Sequence, residues 1–234
     1  MVLKTLSRGT SRDSVLETVR DAILNNLLKP GTQLKQSEIA GQLGVSQSVV
    51  RESLSQLSEE GLVENVPFKG TFVRRLTARD VEEIYQLRGC LESLAARLAL
   101  AYLDESSQMG ELRDLVVRIG DAARARDLDA LVRSDLDFHR CVVKLSGNSR
   151  LLKTWESLLA QSRYLLSNLY AIELATMAES MAGNAANHKD LLESLESGDP
   201  SRINDAIEEH MHSAALRLME HWEEVTVEVE DRGK

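Results

Sequence analysis

The stretch "LKQSEIAGQLGVSQSVVRESLSQLSEEGLVENVPFKGTFV", residues 34–73, decides how this chain is read. Ile39, Ala40 and Leu43 fall at helical spacing, and Gly44 stops that short helix. Val45, Val50, Leu54 and Leu57 then make the stripe of a second helix. Ser46 stands where an N-cap is wanted, and Gly61 lies just past the end. After that the period changes. Val63, Val66, Phe72 and Val73 are strand formers around the turn "PFKG", which predicts a small β-hairpin.

Upstream, "SRDSVLETVRDAILNNL" (residues 11–27) has apolar residues at 15, 16, 19, 23, 24 and 27. That is another helix, closed by the Pro30-Gly31 turn. Three helices and a hairpin within 75 residues outline a winged helix-turn-helix. Burying the second stripe leaves Ser46, Gln47, Ser48 and Arg51 on the outer N-terminal surface of the second helix. Short hydroxyls, an amide and a guanidinium can reach phosphates and base edges in a major groove. Lys69 and Gly70 form the hairpin tip, where a wing approaches the DNA closely. An ordinary three-helix unit with a polar face has the same periodicity, so spacing alone leaves both readings open.

Charge is unevenly shared. The chain has 234 residues and a net charge of −9. Residues 1–78 hold ten Lys and Arg against eight Asp and Glu, a net +2, which leaves −11 for the rest. A mildly basic N-terminal third on an acidic chain suggests a division of labour. With 43% hydrophobic residues, a packed core is expected rather than disorder. No run approaches the roughly 18 apolar residues of a membrane span, and "MVLKTLSRGT" lacks a signal-peptide core. Cys90 and Cys141 both fall in helix interiors. No disulfide framework is expected, and a cytoplasmic location is.

From Thr77 onward the sequence reads as helices only. A capping-box-like Thr77/Asp80 pair opens a long helix to about residue 103. Others are expected at about 106–125, 128–146, 149–171, 179–197 and 200–225. Asp199 followed by Pro200 is a strong helix start. The fold expectation is therefore mainly α. A winged helix-turn-helix domain over 1–76 precedes an antiparallel bundle of about six helices over 77–234.

The bundle contains an energetic oddity. In "SDLDFHRC" (134–141), Asp135 and His139 share a helix face with Val132, Leu136, Val142 and Val143. A buried, unpaired charge is costly, so both need partners. His188 precedes Leu191, Leu192 and Leu195 at helical spacing, and His210 lines up with Ile203, Ala206, Ile207 and Ala214. Three imidazoles and a carboxylate on three helices thus face one interior. A divalent transition metal ion would satisfy them, with zinc the first choice and nickel, manganese or iron as alternatives. The plainer reading is scattered core histidines hydrogen-bonded to other groups. His212 falls on a solvated face, and His221 lies roughly 16 Å along the helix from His210, so neither is included.

The stretch 27–73 resembles the DNA-binding domain of the GntR family of bacterial transcription regulators. The similarity lies in "PG" before "L", in "LGVS", in "VRE.L..L..EGLV" and in the wing glycine. The resemblance places Ser46, Gln47, Ser48 and Arg51 at recognition-helix positions, Lys69 and Gly70 at the wing tip, and Ser37 at a helix start that contacts DNA. Gln47 stands where the family usually has Arg, and Val49 where it often has Pro. Gln prefers adenine where Arg prefers guanine, so a different half-site is implied.

"DLDFHRCVVKLSGNSRLL", "HKDLLESLESGD" and "AIEEHM" resemble the FCD ligand-binding domain of the FadR branch of that family. The resemblance implies metal ligation by Asp135, His139, His188 and His210, with a small carboxylate or sugar acid as effector. Asn187 stands where relatives often have Glu. Arg88, in "LRGCLE", and Arg163 are the candidate effector-binding arginines; a plain salt bridge from Arg88 to Glu92 is the alternative for the first.

The expected function is a DNA-binding transcriptional regulator, a repressor, working as a homodimer on a palindromic operator. A metal-dependent bundle enzyme acting on a small organic acid is the alternative. It lacks the paired Glu-x-x-His of di-iron bundles and a general base. A regulator with a purely structural metal is the third reading.

Overall fold

A computed structural model of the chain describes residues 12–100, 108–176 and 178–220, side chains excepted for 108 and 172–185. The chain divides after Thr77 into two compact units.

The first unit holds helices α1 (Arg12–Leu24), α2 (Gln36–Leu43) and α3 (Gln47–Glu59), then strands β1 (Val63–Val66) and β2 (Gly70–Val73). Helices α1 and α2 and strand β1 all pack on α3. Val15, Val19 and Ile23 of α1, Ile39 and Leu43 of α2, and Val50, Leu54 and Leu57 of α3 make the core. Val45 is only half-buried, while Ser53 is fully buried in the α3 stripe. The Ser53 hydroxyl donates back to the carbonyl of Val49 and so can sit in apolar surroundings. Gly44 takes a left-handed conformation, φ 69°, that lets α2 turn sharply into α3.

The hairpin is antiparallel, with Val63 opposite Val73 and Val66 opposite Gly70. Residues 31–34 add to its outer edge, a pairing not expected from the sequence. Gln33 bridges Phe72, and Leu34 N–H donates to the Thr71 carbonyl at 2.8 Å.

The second unit contains α4 (Ala78–Ala99), α5 (Gln108–Ala125), α6 (Leu128–Leu145), α7 (Ser149–Glu156), α8 (Leu159–Thr176), α9 (Ala178–Ser197) and α10 (Pro200–Glu220). Helix α4 packs on α10 and α6, α5 on α6 and α9, and α8 on α6 and α9. The single helix expected over 149–171 is two helices, which raises the expected six to seven among the described residues. The break falls at Ser157-Leu158. There the Ser157 hydroxyl donates to the Thr154 carbonyl at 2.6 Å and takes up a group freed by the helix end. The turn lets Leu151 and Trp155 pack with Ala95 of α4 and Val143 of α6, and α8 takes its own course under α6.

Asp199 caps α10 as expected, accepting from the Ser201 amide at 2.9 Å. Asn148 caps α7 in the same way. The ends of the expected first and last bundle helices, and His221, lie outside the described residues. Among the described residues no helix is long and apolar enough to cross a membrane. Both cysteines are free thiols.

Candidate functional site

Two surfaces concern function, one on each unit. On the winged unit, Ser37, Ser46, Gln47, Ser48, Arg51, Lys69 and Gly70 are all solvent-exposed. Ser46 has a structural task as well, since its hydroxyl is the α3 N-cap and accepts from the Val49 amide. It also pairs with the Ser48 hydroxyl at 2.8 Å. Gln47 and Arg51, one turn apart, are therefore the long side chains that α3 presents near its start. The wing tip is held from outside the hairpin. Gln33 Nε2 donates to the Lys69 carbonyl at 2.9 Å, and a Cβ on Gly70 would stand 3.1 Å from that same nitrogen. Gly70 is thus favoured by its backbone, at φ 113°, and a side chain there would also press on Gln33. Phe68 stands fully exposed at the tip. The alternation pattern did not flag it, because a turn residue has no face.

In the bundle, Asp135 and His139 of α6, His188 of α9 and His210 of α10 do come together. Ring nitrogens from the three histidines lie within 4.8 Å of one another. Ring centroids are 5.3 Å apart for His139–His188, 5.0 Å for His139–His210 and 4.8 Å for His188–His210. Phe138 stands edge-on to His139 and His188 and walls the cluster. Asp135 Oδ2 is 3.2 Å from His188 Nε2, and Oδ1 is 3.9 Å from His139 Nε2.

Sequence reasoning missed the outer ring of this cluster. The Tyr170 hydroxyl donates to Asp135 Oδ2 at 2.6 Å. His139 Nδ1 stands 2.6 Å from Glu92 Oε2. The other Glu92 oxygen accepts from Trp155 Nε1 at 2.8 Å and Arg88 Nε at 3.1 Å. The Arg88–Glu92 pair was legible as an i, i+4 spacing. Its link to His139, across 47 residues of sequence, was not.

Electrostatics follow from this geometry. Burial alone would raise the Asp135 carboxyl, yet His188, His139 and the Tyr170 hydroxyl hold it well below the usual carboxylate range. Burial likewise opposes ionisation of Glu92, but His139 and Arg88 beside it and its hydrogen bonds bring it to about 2. His210 is pushed well below the ordinary histidine value, first by burial and then by the two imidazoles beside it. It is therefore neutral near pH 7 and carries a lone pair. Its Nδ1 is buried with no hydrogen-bond partner among the described residues. The Tyr85 hydroxyl is in the same position, while Arg88 Nη2 stands 3.1 Å from Glu92 Oε1 and the guanidinium lies 5.5 Å from the Tyr85 ring centroid.

The donor set fits a transition ion. Two ligands on one ion at about 2.1 Å stand at most about 4.2 Å apart. The Asp135–His188 and Asp135–His139 separations are already within that limit. Ligands on a tetrahedral ion stand about 3.4 Å apart, so the histidine nitrogens need to draw in by up to about 1.4 Å through their side-chain torsions. Neutral imidazoles and an ionised carboxylate suit zinc, nickel or iron. Arg163 is not part of this ring. It lines a separate cleft of about 210 Å³ between α6 and α8, with Arg133 and Arg140. His212 is exposed on α10.

A winged helix-turn-helix with a polar, cationic leading edge, followed by a helical unit with an inward cluster, defines a DNA-binding transcriptional regulator rather than an enzyme. Residues 11–73 match the gntR family of bacterial regulatory proteins, and residues 83–213 match the FCD domain. The chain belongs to the GntR family, in the branch that carries a C-terminal FCD domain.

A protein of Paenarthrobacter nicotinovorans described as "Probable D-xylose utilization operon transcriptional repressor" is 30% identical over 88% of this chain and 89% of its own length. The gluconate operon transcriptional repressor of Bacillus licheniformis is 25% identical over 94% of this chain and 89% of its own. Among solved structures, E. coli McbR/YncC superposes with a TM-score of 0.74 at 24% identity, covering 90% of this chain and 98% of that one. A GntR family member from Pseudomonas syringae pv. tomato gives 0.53 at 25% identity, covering 96% and 91%.

Proposed function

We propose that this protein is a repressor whose operator binding is set by a small carboxylate or sugar acid held at a metal centre in the FCD domain. Asp135, His139, His188 and His210 are the metal ligands. The observation that carries the reading is the convergence of three inward imidazoles within 4.8 Å, one of them with a buried nitrogen that has no hydrogen-bond partner among the described residues. An orphaned buried nitrogen needs an explanation, and a bound ion is one that also accounts for its neighbours.

A divalent ion there would balance Asp135 and offer open positions to an anionic ligand. Zinc suits the set best; nickel, manganese and iron are the alternatives. Tyr170 orients Asp135, and Phe138 fixes the ring edges. The Tyr85 hydroxyl, without a hydrogen-bond partner among the described residues, and the guanidinium of Arg88 beside it could receive a carboxylate and hydroxyl groups. A role for Arg163 requires the ligand to reach the α6/α8 cleft. The operon names of the xylose and gluconate relatives support a sugar-derived effector.

The DNA-reading residues are Ser37, Ser46, Gln47, Ser48, Arg51, Lys69 and Gly70. Two copies of the chain on a palindromic operator would give each half-site one recognition helix. The protein would act in the cytoplasm, where its operator is. The effector acts only by binding two arrangements of the reading heads unequally.

The test joins elemental analysis of the purified protein to gel shifts on upstream DNA. Sugar acids are added with and without prior chelation. A shift altered by one acid, and only in the metal-loaded protein, supports the proposal. Operator binding that ignores every acid while the metal is present points to a structural ion instead. Turnover of an acid without DNA binding overturns the reading.

A further inference from the structure

We infer that Glu92 is a positioning residue for the metal centre, fixing which nitrogen of His139 is free to take the ion. The inference rests on the metal reading above, and its readouts are chosen to separate the two.

The geometry assigns one task to each Glu92 oxygen. Oε1 receives two donors, Trp155 Nε1–H at 2.8 Å and Arg88 Nε–H at 3.1 Å. Both can only donate. Oε2 faces His139 Nδ1 at 2.6 Å. An ionised carboxylate only accepts, so Nδ1 must carry the proton. In the neutral ring, Nε2 is then left with its lone pair, on the side facing Asp135 at 3.9 Å. Glu92 and His139 are both fully buried, so water does not compete for either nitrogen. A carboxylate behind a ligating histidine fixes tautomer and ring orientation, and such partners are worth about 10–100-fold in metal affinity.

The arrangement makes Glu92→Gln a sharp perturbation, because Gln keeps the shape and changes the donor pattern. Its single acceptor oxygen is claimed by the two fixed donors, Trp155 and Arg88. Turning it the other way would set the amide N–H groups against both of them. The amide nitrogen is therefore left facing His139 Nδ1 and donates to it. His139 responds by moving its proton to Nε2, the position needed for the ion. One buried oxygen replaced by nitrogen thus disables the metal-facing nitrogen of a ring it holds from the opposite edge.

The experiment uses the full chain, stripped of metal and titrated with zinc. Long-range 15N–1H correlation of the imidazoles at pH 8 reads the tautomer. In wild type, His139 is expected to carry its proton on Nδ1 alone. In Glu92→Gln it carries it on Nε2, and zinc affinity falls by about 10–100-fold with the helical circular dichroism retained. A His139 proton on Nε2 in the metal-free wild type overturns the assignment without any variant, so a misfolded variant does not rescue it. Equal zinc affinity in wild type and a folded Glu92→Gln also overturns it. A wild type that takes up no zinc, nickel or manganese refutes the metal centre itself; the tautomer then still decides whether Glu92 positions His139.

Discussion

Tyr170→Phe removes one oxygen atom from the protein and tests how the charge on Asp135 is held. The tyrosine ring is buried and keeps its packing in the variant. What is lost is the 2.6 Å hydrogen bond to Asp135 Oδ2. The remaining polar neighbour of that oxygen in the cluster is His188 Nε2 at 3.2 Å. Hydrogen bonds to ionised groups contribute about 1.5–3 kcal/mol, and the upper half of that range applies where the acceptor stays buried. In a protein of this size each kcal/mol moves the melting temperature by about 2–4 °C. The metal-free variant should therefore melt about 4–12 °C below wild type by circular dichroism. Loading with zinc changes the comparison. If Asp135 ligates the ion, its charge is balanced there and the hydroxyl matters less, so the gap between the two proteins narrows. A metal-free variant melting within a degree of wild type refutes the reading of Tyr170. A gap that zinc leaves unchanged refutes Asp135 as a ligand.

Arg51→Ala should weaken operator binding by about 1–3 kcal/mol, roughly 5- to 150-fold, in a fluorescence anisotropy titration at fixed salt. Gln47→Arg should shift the half-site selected from a random pool toward guanine; an unchanged selection counts against a base contact by Gln47. His188→Ala should abolish zinc uptake by elemental analysis while helical content is kept. The metal-free protein should also be acid-sensitive in a defined window. His210 has a folded pKa below its unfolded value, so its contribution is present above about pH 6.5 and is lost as pH falls below it. Its limiting slope is about 1.4 kcal/mol per pH unit, and urea melts of wild type should show this against a flatter His210→Asn. Glu92, held at about 2, contributes above its unfolded value near 4.5, and that part is lost only as pH falls toward 2.

Periodicity was enough to locate α1 to α3 and the hairpin, because Gly44, Gly61 and the valines of β1 and β2 punctuate the pattern at the right places. It also put Asp135, His139, His188 and His210 on inward stripes, since a stripe of leucines reports the direction of any residue within it. The break at Ser157 was invisible. The run from Leu151 to Leu166 keeps a helical apolar period through it, and the cause is a tertiary contact of Trp155. The edge pairing of residues 31–34 escaped for a similar reason, being one bridge long. Glu92 is the instructive miss. Its local partner Arg88 accounted for it on paper, and nothing within one turn of helix points to a histidine on another element. Tyr170 lies among leucines, and nothing in that pattern sets it apart from ordinary core.

Helix α4 has one further consequence. Only Arg74–Thr77 separate it from strand β2 of the wing. Tyr85, Arg88 and Glu92 all ride on it, and Glu92 sits about 21 Å along the rod from Ala78 at 1.5 Å per residue. On the proposed function, a ligand held at His139 or Arg88 would touch the helix that begins four residues after the wing. Thermodynamic reciprocity then applies. If an acid changes operator affinity as proposed, the operator must change the affinity for the acid by the same factor, and DNA would then act as an effector of the buried site.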